Sequence, residues 1–222
     1  MQISNVVRVL VWSSRLRIAH WILGLSTIGL LVTGWLMNNT PLMAQSAAEI
    51  HFMLSGLFLP ALVLRLYLLL FGSDSEHLSS CEPDLHRLSQ AWLVAKFYLT
   101  LGKAPLPRWY SHNPLWGPLY LAIFFFLLLS AISGLVLLKD ISMIGSLSLH
   151  DLHHLSYQVI TVFTLLHIPA VFSHDLAGRG SDISGMINGH RIFELDNPQQ
   201  SDKPGTGTQS VALQDLMKNL KR

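Results

Sequence analysis

Four long apolar segments constrain the fold of this chain more than any other feature. They cover residues 18–37, 50–71, 115–138 and 149–172. A hydrocarbon core of about 30 Å is crossed by roughly 20 helical residues, a length that each segment provides. Half of the 222 residues are hydrophobic and only 13% are charged, which is too apolar for an ordinary soluble domain. The sequence therefore predicts an all-α integral membrane protein, built as a bundle of four transmembrane helices.

The positively charged residues predict the orientation of this bundle. Of the 15 Lys and Arg residues, all but Arg65 and Lys139 precede the first segment, separate the second from the third, or follow the fourth. Because cytoplasmic loops are enriched in Lys and Arg, both termini and the long connection are predicted to be cytoplasmic. The first segment is longer than the apolar core of a secretory signal, which favours a retained helix.

The rest of the chain adds little to this single domain. Residues 1–195 are predicted to form the membrane domain, and the polar residues 196–222 to form a disordered tail. Between the second and third segments, apolar residues recur at helical spacing over about 85–101, which predicts an amphipathic helix on the membrane surface. The single cysteine, Cys81, excludes an intrachain disulfide, and a net charge of +2 is too small to suggest nucleic-acid binding.

Four histidines sort by depth once the helices alternate in direction. His20 lies near the cytoplasmic start of the first segment, and His51 near the outer start of the second. The fourth segment runs inward, so His153 lies near its outer end and His167 near its inner end. We call His51 with His153 the outer pair, and His20 with His167 the inner pair.

Spacing within the fourth segment supports the choice of His153. His153 and His167 are 14 residues apart, which in a helix is about 21 Å of rise and an angular offset of about 40°. One face of the helix can therefore serve two stacked sites. The neighbouring His150 and His154 are poorly aligned with His167 at about 100° per residue.

Two opposed imidazoles across an apolar bundle suit the iron of a haem. Such ligation fills both axial positions and favours electron transfer. Zinc would need a tetrahedral group of ligands at one depth, which two separate pairs do not supply. The pairs therefore predict two b-type haems. The alternative is that these histidines bond between helices, or line a path for protons or metal ions.

Two other residues repeat the interval of 14. Gly34 follows His20 by 14 residues, which predicts a haem contact at the depth of the outer pair. Arg65 follows His51 by the same interval, at the depth of the inner pair, where a haem propionate would stabilise its charge. The alternative for Arg65 is that its side chain reaches the cytoplasmic interface. Gly24, Gly29, Gly56 and Gly134 are interpreted as helix-packing positions.

The sequence His112-Asn113-Pro114 opens the third segment. Asn113 before a proline is typical of a helix cap. His112 and Asn113 are also predicted at the inner face, where a quinone needs hydrogen bonds and a source of protons. Both interpretations stay open. The remaining histidines, His77, His86, His174 and His190, are assigned to solvated loops or the tail.

The order of these motifs resembles the b-type cytochrome subunit of membrane-bound nickel–iron hydrogenases. The resemblance rests on RIAHW at 17–21, IHF at 50–52, RLY at 65–67, HNPL at 112–115, HHL at 153–155 and His167. The segments SHDL at 173–176, ISGMI at 183–187 and GHR at 189–191 are similar to that subunit's cytoplasmic tail. The chain departs from the family pattern at Ser156-Tyr157-Gln158, which bears on the identity of the partner.

The resemblance implies a subunit of the bacterial inner membrane that is not catalytic alone towards the electron donor. Its partners would be the iron–sulfur small subunit and the catalytic large subunit of a periplasmic hydrogenase. Electrons would pass through two b haems to quinone, with the four paired histidines as ligands and with Asn113 and His112 bordering the quinone. Related chains anchor formate dehydrogenases and thiosulfate reductases, and stand-alone b561-like quinone oxidoreductases share the core. A histidine-lined transporter is the alternative from another class.

Overall fold

The computed structural model describes residues 5–82, 85–177 and 182–195. Most of these residues are helical. The elements are β1 Asn5–Leu10, α1 Ser14–Asn39, α2 Ala44–Phe71, α3 Leu85–Leu99, α4 Trp116–Leu137, β2 Met143–Ile144, β3 Leu147–Ser148, α5 Leu149–Leu176, α6 Asp182–Asn188 and β4 His190–Leu195. The predicted tail, residues 196–222, lies outside the described residues.

Four helices are long and apolar enough to cross a membrane, as the sequence predicts. They span Ser14–Asn39, Pro41–Phe71, Trp116–Leu137 and Leu149–Leu176. Three of them extend past the predicted segments by four to nine residues at one end, because helical hydrogen bonding continues into polar flanking residues after hydropathy has fallen. The extension of α5 to Leu176 matters for function, since it brings His174 onto a helix.

The chain divides into two compact units, described here separately. The bundle unit comprises Ser14–Gly72 and Leu119–Pro169. The loop unit comprises the described parts of Met1–Ser13, Ser73–Pro118 and Ala170–Arg222.

The bundle unit has an apolar centre and an apolar surface. Its buried core consists of Leu23, Phe58, Ala61, Leu62, Ile123, Leu127 and Ile160. Large apolar side chains also lie exposed on the outside, including Leu25, Val32, Leu57, Val63, Phe125 and Leu165. An exposed apolar surface of this kind is unfavourable in water but is expected of helices that face lipid.

The loop unit contains a two-stranded ribbon that the all-α prediction missed. β1 pairs with β4 in antiparallel register, with Val7 opposite Phe193 and Arg8 opposite Ile192. The N–H groups of Val11 and Trp12 then donate to the carbonyl of Gly189, at 2.9 and 3.0 Å. A strand whose partner lies at the other end of the chain has no local signal beyond its own short apolar run, so sequence periodicity could not pair the two segments. In the bundle unit, β2 and β3 form an antiparallel hairpin with two residues in each strand.

α3 begins at Leu85 and ends at Leu99, inside the predicted range of 85–101. The backbone turns left-handed at Leu101 and Gly102, with φ of 51° and 84°, and the Gly102 N–H bonds the carbonyl of Phe97 at 2.9 Å. Val94 and Phe97 are buried, whereas an apolar row is exposed at Leu85, Leu88, Trp92 and Leu99. The structure thus gives α3 two apolar faces, and its contact with a membrane surface stays a prediction.

The register of the ribbon can be tested by a disulfide between Arg8→Cys and Ile192→Cys. Opposed residues of an antiparallel pair have Cβ atoms about 5 Å apart, within reach of a disulfide. We expect oxidation to cross-link this pair, detected as a mobility shift on non-reducing gels. Arg8→Cys with Phe193→Cys is the control, since adjacent strand residues point to opposite faces. Efficient cross-linking of the control pair alone would contradict the register.

Candidate cofactor site

His51 of the outer pair is held by a hydroxyl from the neighbouring helix. Its Nδ1 lies 2.9 Å from Oγ1 of Thr33 on α1. The Thr33 hydroxyl already donates to the carbonyl of Gly29 at 2.9 Å, so its oxygen is left to accept. We therefore assign the proton of the His51 ring to Nδ1, which leaves the lone pair of Nε2 free.

His153 repeats this arrangement on the other two spanning helices. Its Nδ1 lies 3.0 Å from Oγ of Ser133 on α4 and 3.1 Å from the carbonyl of Ser130. The Ser133 hydroxyl donates to the carbonyl of Leu129 at 2.8 Å. A carbonyl oxygen can only accept, so Nδ1 of His153 must carry the proton. Its Nε2 is then the ligand-ready nitrogen, which is the state in which histidine binds metals.

A glycine follows each of these hydroxyl residues. An added Cβ at Gly134 would lie 3.2 Å from Cε1 of His153, closer than ordinary van der Waals contact. An added Cβ at Gly34 would lie 3.8 Å from Cε1 of His51 and from the Tyr157 ring. Gly34 thus lies beside His51 of the outer pair, and its contact with a haem stays a prediction. Gly134 was predicted only as a packing position. The missed signal was the repeated dipeptide of a hydroxyl residue and a glycine, Thr33-Gly34 and Ser133-Gly134.

The choice among the histidines of α5 agrees with their exposure. His150 and His154 are exposed, whereas His153 is half-buried. The ring of His154 stacks on Tyr157, with centroids 6.0 Å apart. His153 is also close enough to His51 to interact with it electrostatically.

The two rings of the inner pair lie close together. The ring centroids of His20 and His167 are 6.5 Å apart. With metal–nitrogen bonds of about 2 Å, two imidazoles on opposite sides of one ion have their centroids roughly 6 Å apart. His167 also stacks on Phe163, with centroids 5.4 Å apart and planes 9° apart. The spacing therefore fits one metal ion held between the two rings.

Arg65 lies within the bundle unit with its side chain buried, at 6% relative exposure. Its guanidinium carbon is 4.9 Å above the centroid of the Phe124 ring, and the charge interacts with His20. This position favours an internal role over the alternative in which the side chain reaches the interface. A buried cation near His20 is a suitable partner for an anionic group of a ligand held there.

His112 and Asn113 lie in the loop unit. Nδ1 of His112 is 3.0 Å from Oγ of Ser80, and its ring packs edge-on against Trp12. Oδ1 of Asn113 accepts the N–H of Leu115 at 2.9 Å, as a residue at the start of a helix does. Its buried Nδ2 has no hydrogen-bond partner within the described part of the chain. Oδ1 is therefore used by the backbone, and Nδ2 is a buried donor that is available to a ligand.

His174 corrects the sequence analysis, which assigned it to a solvated segment. It is only 2% exposed, because α5 continues past the end of the apolar segment and carries His174 into the loop unit. Its Nε2 lies 2.6 Å from Oη of Tyr98 and its Nδ1 lies 3.0 Å from Oδ2 of Asp182. Asp182 also pairs with Arg191 at 2.9 Å. This buried polar cluster was not predicted.

Two pKa values in the cluster are perturbed. Burial raises the pKa of Tyr98 to about 12, so that its hydroxyl keeps its proton at neutral pH. Burial lowers the pKa of Arg191, while Asp182 and Asp175 act in the opposite direction. The Arg191 guanidinium stays charged, since even a lowered arginine pKa is far above neutrality.

The described residues contain paired histidines rather than a polydentate ion cage. No three His, Cys, Asp or Glu side chains in residues 5–82, 85–177 and 182–195 form a group that could hold a metal ion. Four long apolar helices that carry two pairs of histidines define the class as a helical membrane protein with candidate haem ligands.

The comparison with known families agrees with this class. The family model described as prokaryotic cytochrome b561 matches residues 11–189, and the chain belongs to that family. A b-type cytochrome implies haem b as cofactor. No solved structure gives a significant match.

Several relatives carry the name "Probable Ni/Fe-hydrogenase B-type cytochrome subunit". The relative from Rhizobium leguminosarum bv. viciae is 30% identical, covering 84% of this chain and 90% of the relative. The relative from Azotobacter chroococcum is 27% identical, with 86% and 91% covered. The Escherichia coli K12 relative, named for hydrogenase 1, is 24% identical, with 89% and 97% covered. The resemblance to hydrogenase cytochrome subunits is therefore confirmed over most of the chain.

Ser133→Ala tests the role of the hydroxyl behind His153. Loss of such a supporting hydrogen bond lowers metal affinity by about 10–100-fold, so we expect the variant to retain less haem, measured by the haem-to-protein ratio after purification. Ser130→Ala is the matched control, because Ser130 contacts His153 through its backbone carbonyl. Equal haem retention in both variants would remove Ser133 from the site.

Proposed function

We propose that this chain is the transmembrane electron-transfer subunit of a nickel–iron hydrogenase, and that it passes electrons through two b haems to membrane quinone. The observation that carries the proposal is the pairing of half-buried histidines, with the inner pair spaced for one metal ion. The names of the relatives support a hydrogenase as the electron donor. Its iron–sulfur small subunit would deliver the electrons, and its catalytic large subunit would produce them.

The four histidines would supply the axial ligands. His51 and His153 would hold the outer haem through Nε2, with Thr33 and Ser133 fixing the rings. Held in this way, each haem would carry one electron at a time and would leave no coordination position open to a substrate. Gly34 and Gly134 would leave room beside the outer haem.

The inner haem would be held by His20 and His167. The stacked ring of Phe163 fixes the plane of His167, and Arg65 would bind a propionate of this haem. A propionate would also balance the buried positive charge of Arg65, which lies within a membrane-spanning helix.

Quinone would be bound at Asn113. A quinone carbonyl needs hydrogen-bond donors, and the unsatisfied Nδ2 of Asn113 is a buried donor that already has a fixed direction. His112 would border the same site, with its ring held by Ser80 and Trp12. The proposed quinone site therefore lies in the loop unit. The names of the relatives do not mention the electron acceptor.

The orientation follows from the distribution of Lys and Arg. Both termini and the connection between α2 and α4 would be cytoplasmic in the bacterial inner membrane. Hydrogen oxidation would release protons outside, and quinone reduction would take them up inside. Each turnover would then contribute to the membrane potential.

The haem assignment predicts different outcomes for two neighbouring histidines. We expect His153→Ala to lower the haem content from about two to about one per chain, since an axial ligand is lost. His154→Ala should keep both haems, because its ring is exposed. Reduced-minus-oxidised spectra and pyridine haemochrome assays measure both variants. Haem loss only in His154→Ala would overturn the assignment, and a wild-type chain with no b-type haem would favour a histidine-lined transporter.

Asn113→Asp tests the quinone site with nearly unchanged side-chain size. The variant keeps an oxygen to accept the Leu115 N–H but replaces the donor Nδ2 by an acceptor. Loss of one buried hydrogen bond to a ligand corresponds to about a tenfold change in affinity, so we expect the KM for quinone to rise about tenfold with haem content unchanged. Steady-state quinone reduction gives the result. An unchanged KM would place the quinone elsewhere.

A further inference from the structure

We propose that Tyr98 donates one proton to the quinone oxygen bound at Asn113, that Nε2 of His174 replaces this proton, and that Asp182 orients the imidazole and balances its charge. The inference rests on the proposed function, because it assigns a proton source to that same site. All four residues belong to the loop unit. None of the motifs that suggested haem or quinone binding includes Tyr98 or Asp182.

The path is continuous at hydrogen-bond distance. Oη of Tyr98 lies 2.6 Å from Nε2 of His174. Nδ1 of the same ring lies 3.0 Å from Oδ2 of Asp182. The Asp182 side chain is 17% exposed, whereas that of His174 is 2% exposed. The chain of groups therefore leads from a partly solvated carboxylate through a buried imidazole to a phenol.

The hydrogen bonds around the path fix the direction of its groups. Asp182 pairs with Arg191 at 2.9 Å and is therefore ionised. An ionised carboxylate can only accept, so Nδ1 of His174 donates to it. Nε2 is left to exchange a proton with Oη of Tyr98. Asp182 thus orients the imidazole and balances its charge when both ring nitrogens are protonated, as the carboxylate of a catalytic triad does.

Tyr98 is placed to reach the ligand at Asn113. Its Oη accepts the Nε1–H of Trp116 at 2.8 Å, which leaves its own proton to be donated. Asn113 is close enough to oppose the effect of burial on the pKa of Tyr98, although its Nδ2 makes no hydrogen bond in the described residues. An oxygen that accepts from Nδ2 would therefore lie beside the Tyr98 hydroxyl.

Each bond that breaks in the proposed proton transfer is matched by a bond that forms. Two electrons from the haems and two protons convert a quinone to a quinol. As one quinone oxygen is reduced, the Oη–H bond of Tyr98 breaks and a new O–H bond forms on that oxygen. The phenolate takes a proton from Nε2 of the doubly protonated His174. A proton taken up from water then returns His174 to its doubly protonated form before the next turnover.

The groups that surround the path come from four elements. Tyr98 and Phe97 lie on α3, Asp175 follows His174 on α5, Asp182 opens α6, and Arg191 lies on β4. Asp175 accepts the backbone N–H of Asp182 at 2.8 Å and so holds the start of α6. Arg191 donates to the carbonyls of Trp109, Tyr110 and Ser111, each at 3.2 Å. Arg191 therefore binds both Asp182 and the segment that leads to Asn113.

Tyr98→Phe gives the direct test, because it removes only the hydroxyl. Full-length protein in lipid vesicles is reduced with dithionite and mixed with a short-chain benzoquinone or naphthoquinone, and haem reoxidation is followed by stopped flow in H₂O and D₂O. Loss of a general acid slows its step by about 100-fold or more. We expect this slowing, with unchanged haem content, unchanged KM for quinone, and a changed solvent isotope effect.

His174→Gln should slow reoxidation in the same way. Tyr110→Phe is the matched control, since burial also raises the pKa of Tyr110 but its hydroxyl is not part of the path. We expect this control to match the wild type in rate and isotope effect.

Each contrary result has a distinct meaning. If Tyr98→Phe matches the wild type while Asn113→Asp raises KM, the quinone site stands and the proton path is wrong. If neither variant changes quinone reduction, the quinone assignment itself is wrong. If Tyr98→Phe raises KM and leaves the isotope effect unchanged, Tyr98 is a binding contact and the path is overturned.

Discussion

An imidazole inside an apolar bundle has two ring nitrogens that need partners, and this requirement organises the bundle unit. Thr33 and Ser133 each bond Nδ1 of a histidine on the neighbouring helix, at 2.9 and 3.0 Å. Each hydroxyl in turn donates to a carbonyl one turn back in its own helix. A polar group that is half-satisfied in low dielectric is unfavourable, so the remaining Nε2 atoms need a ligand. In the proposed function a haem iron would supply that ligand, so the cofactor and the fold would depend on each other.

In the loop unit, the buried polar side chains are instead satisfied by charged partners. Arg191 is buried beside Asp182 and three backbone carbonyls, and Asp182 also holds His174. Removing one member of such a cluster leaves its partners uncompensated, which costs about 3–5 kcal/mol for a buried ion pair. β4 delivers Arg191 to this position because it pairs with β1. The β1–β4 ribbon therefore helps to hold the segment that leads to Asn113.

Much of the site could be predicted because it depends on local periodicity. The interval of 14 between His153 and His167 follows from helix geometry, and it selected a half-buried histidine over two exposed neighbours. The same interval placed Gly34 against His51. Gly134 was missed, because a glycine in an apolar helix is usually a packing position. His174 was missed for a different reason, since hydropathy ended the fourth segment at residue 172 although the helix continues to Leu176.

The sequence by itself determined four long apolar helices, and it predicted their alternating direction and the depth of each histidine. These follow from hydropathy, charge and 3.6-residue periodicity, which are properties of neighbouring residues. Only the tertiary structure decided which hydroxyl bonds each ring, how β1 pairs with β4, and that Tyr98, His174 and Asp182 meet. Those contacts join segments far apart in the chain, and their geometry depends on how whole helices pack. No local pattern records that packing, so the buried polar partners became visible only in the fold.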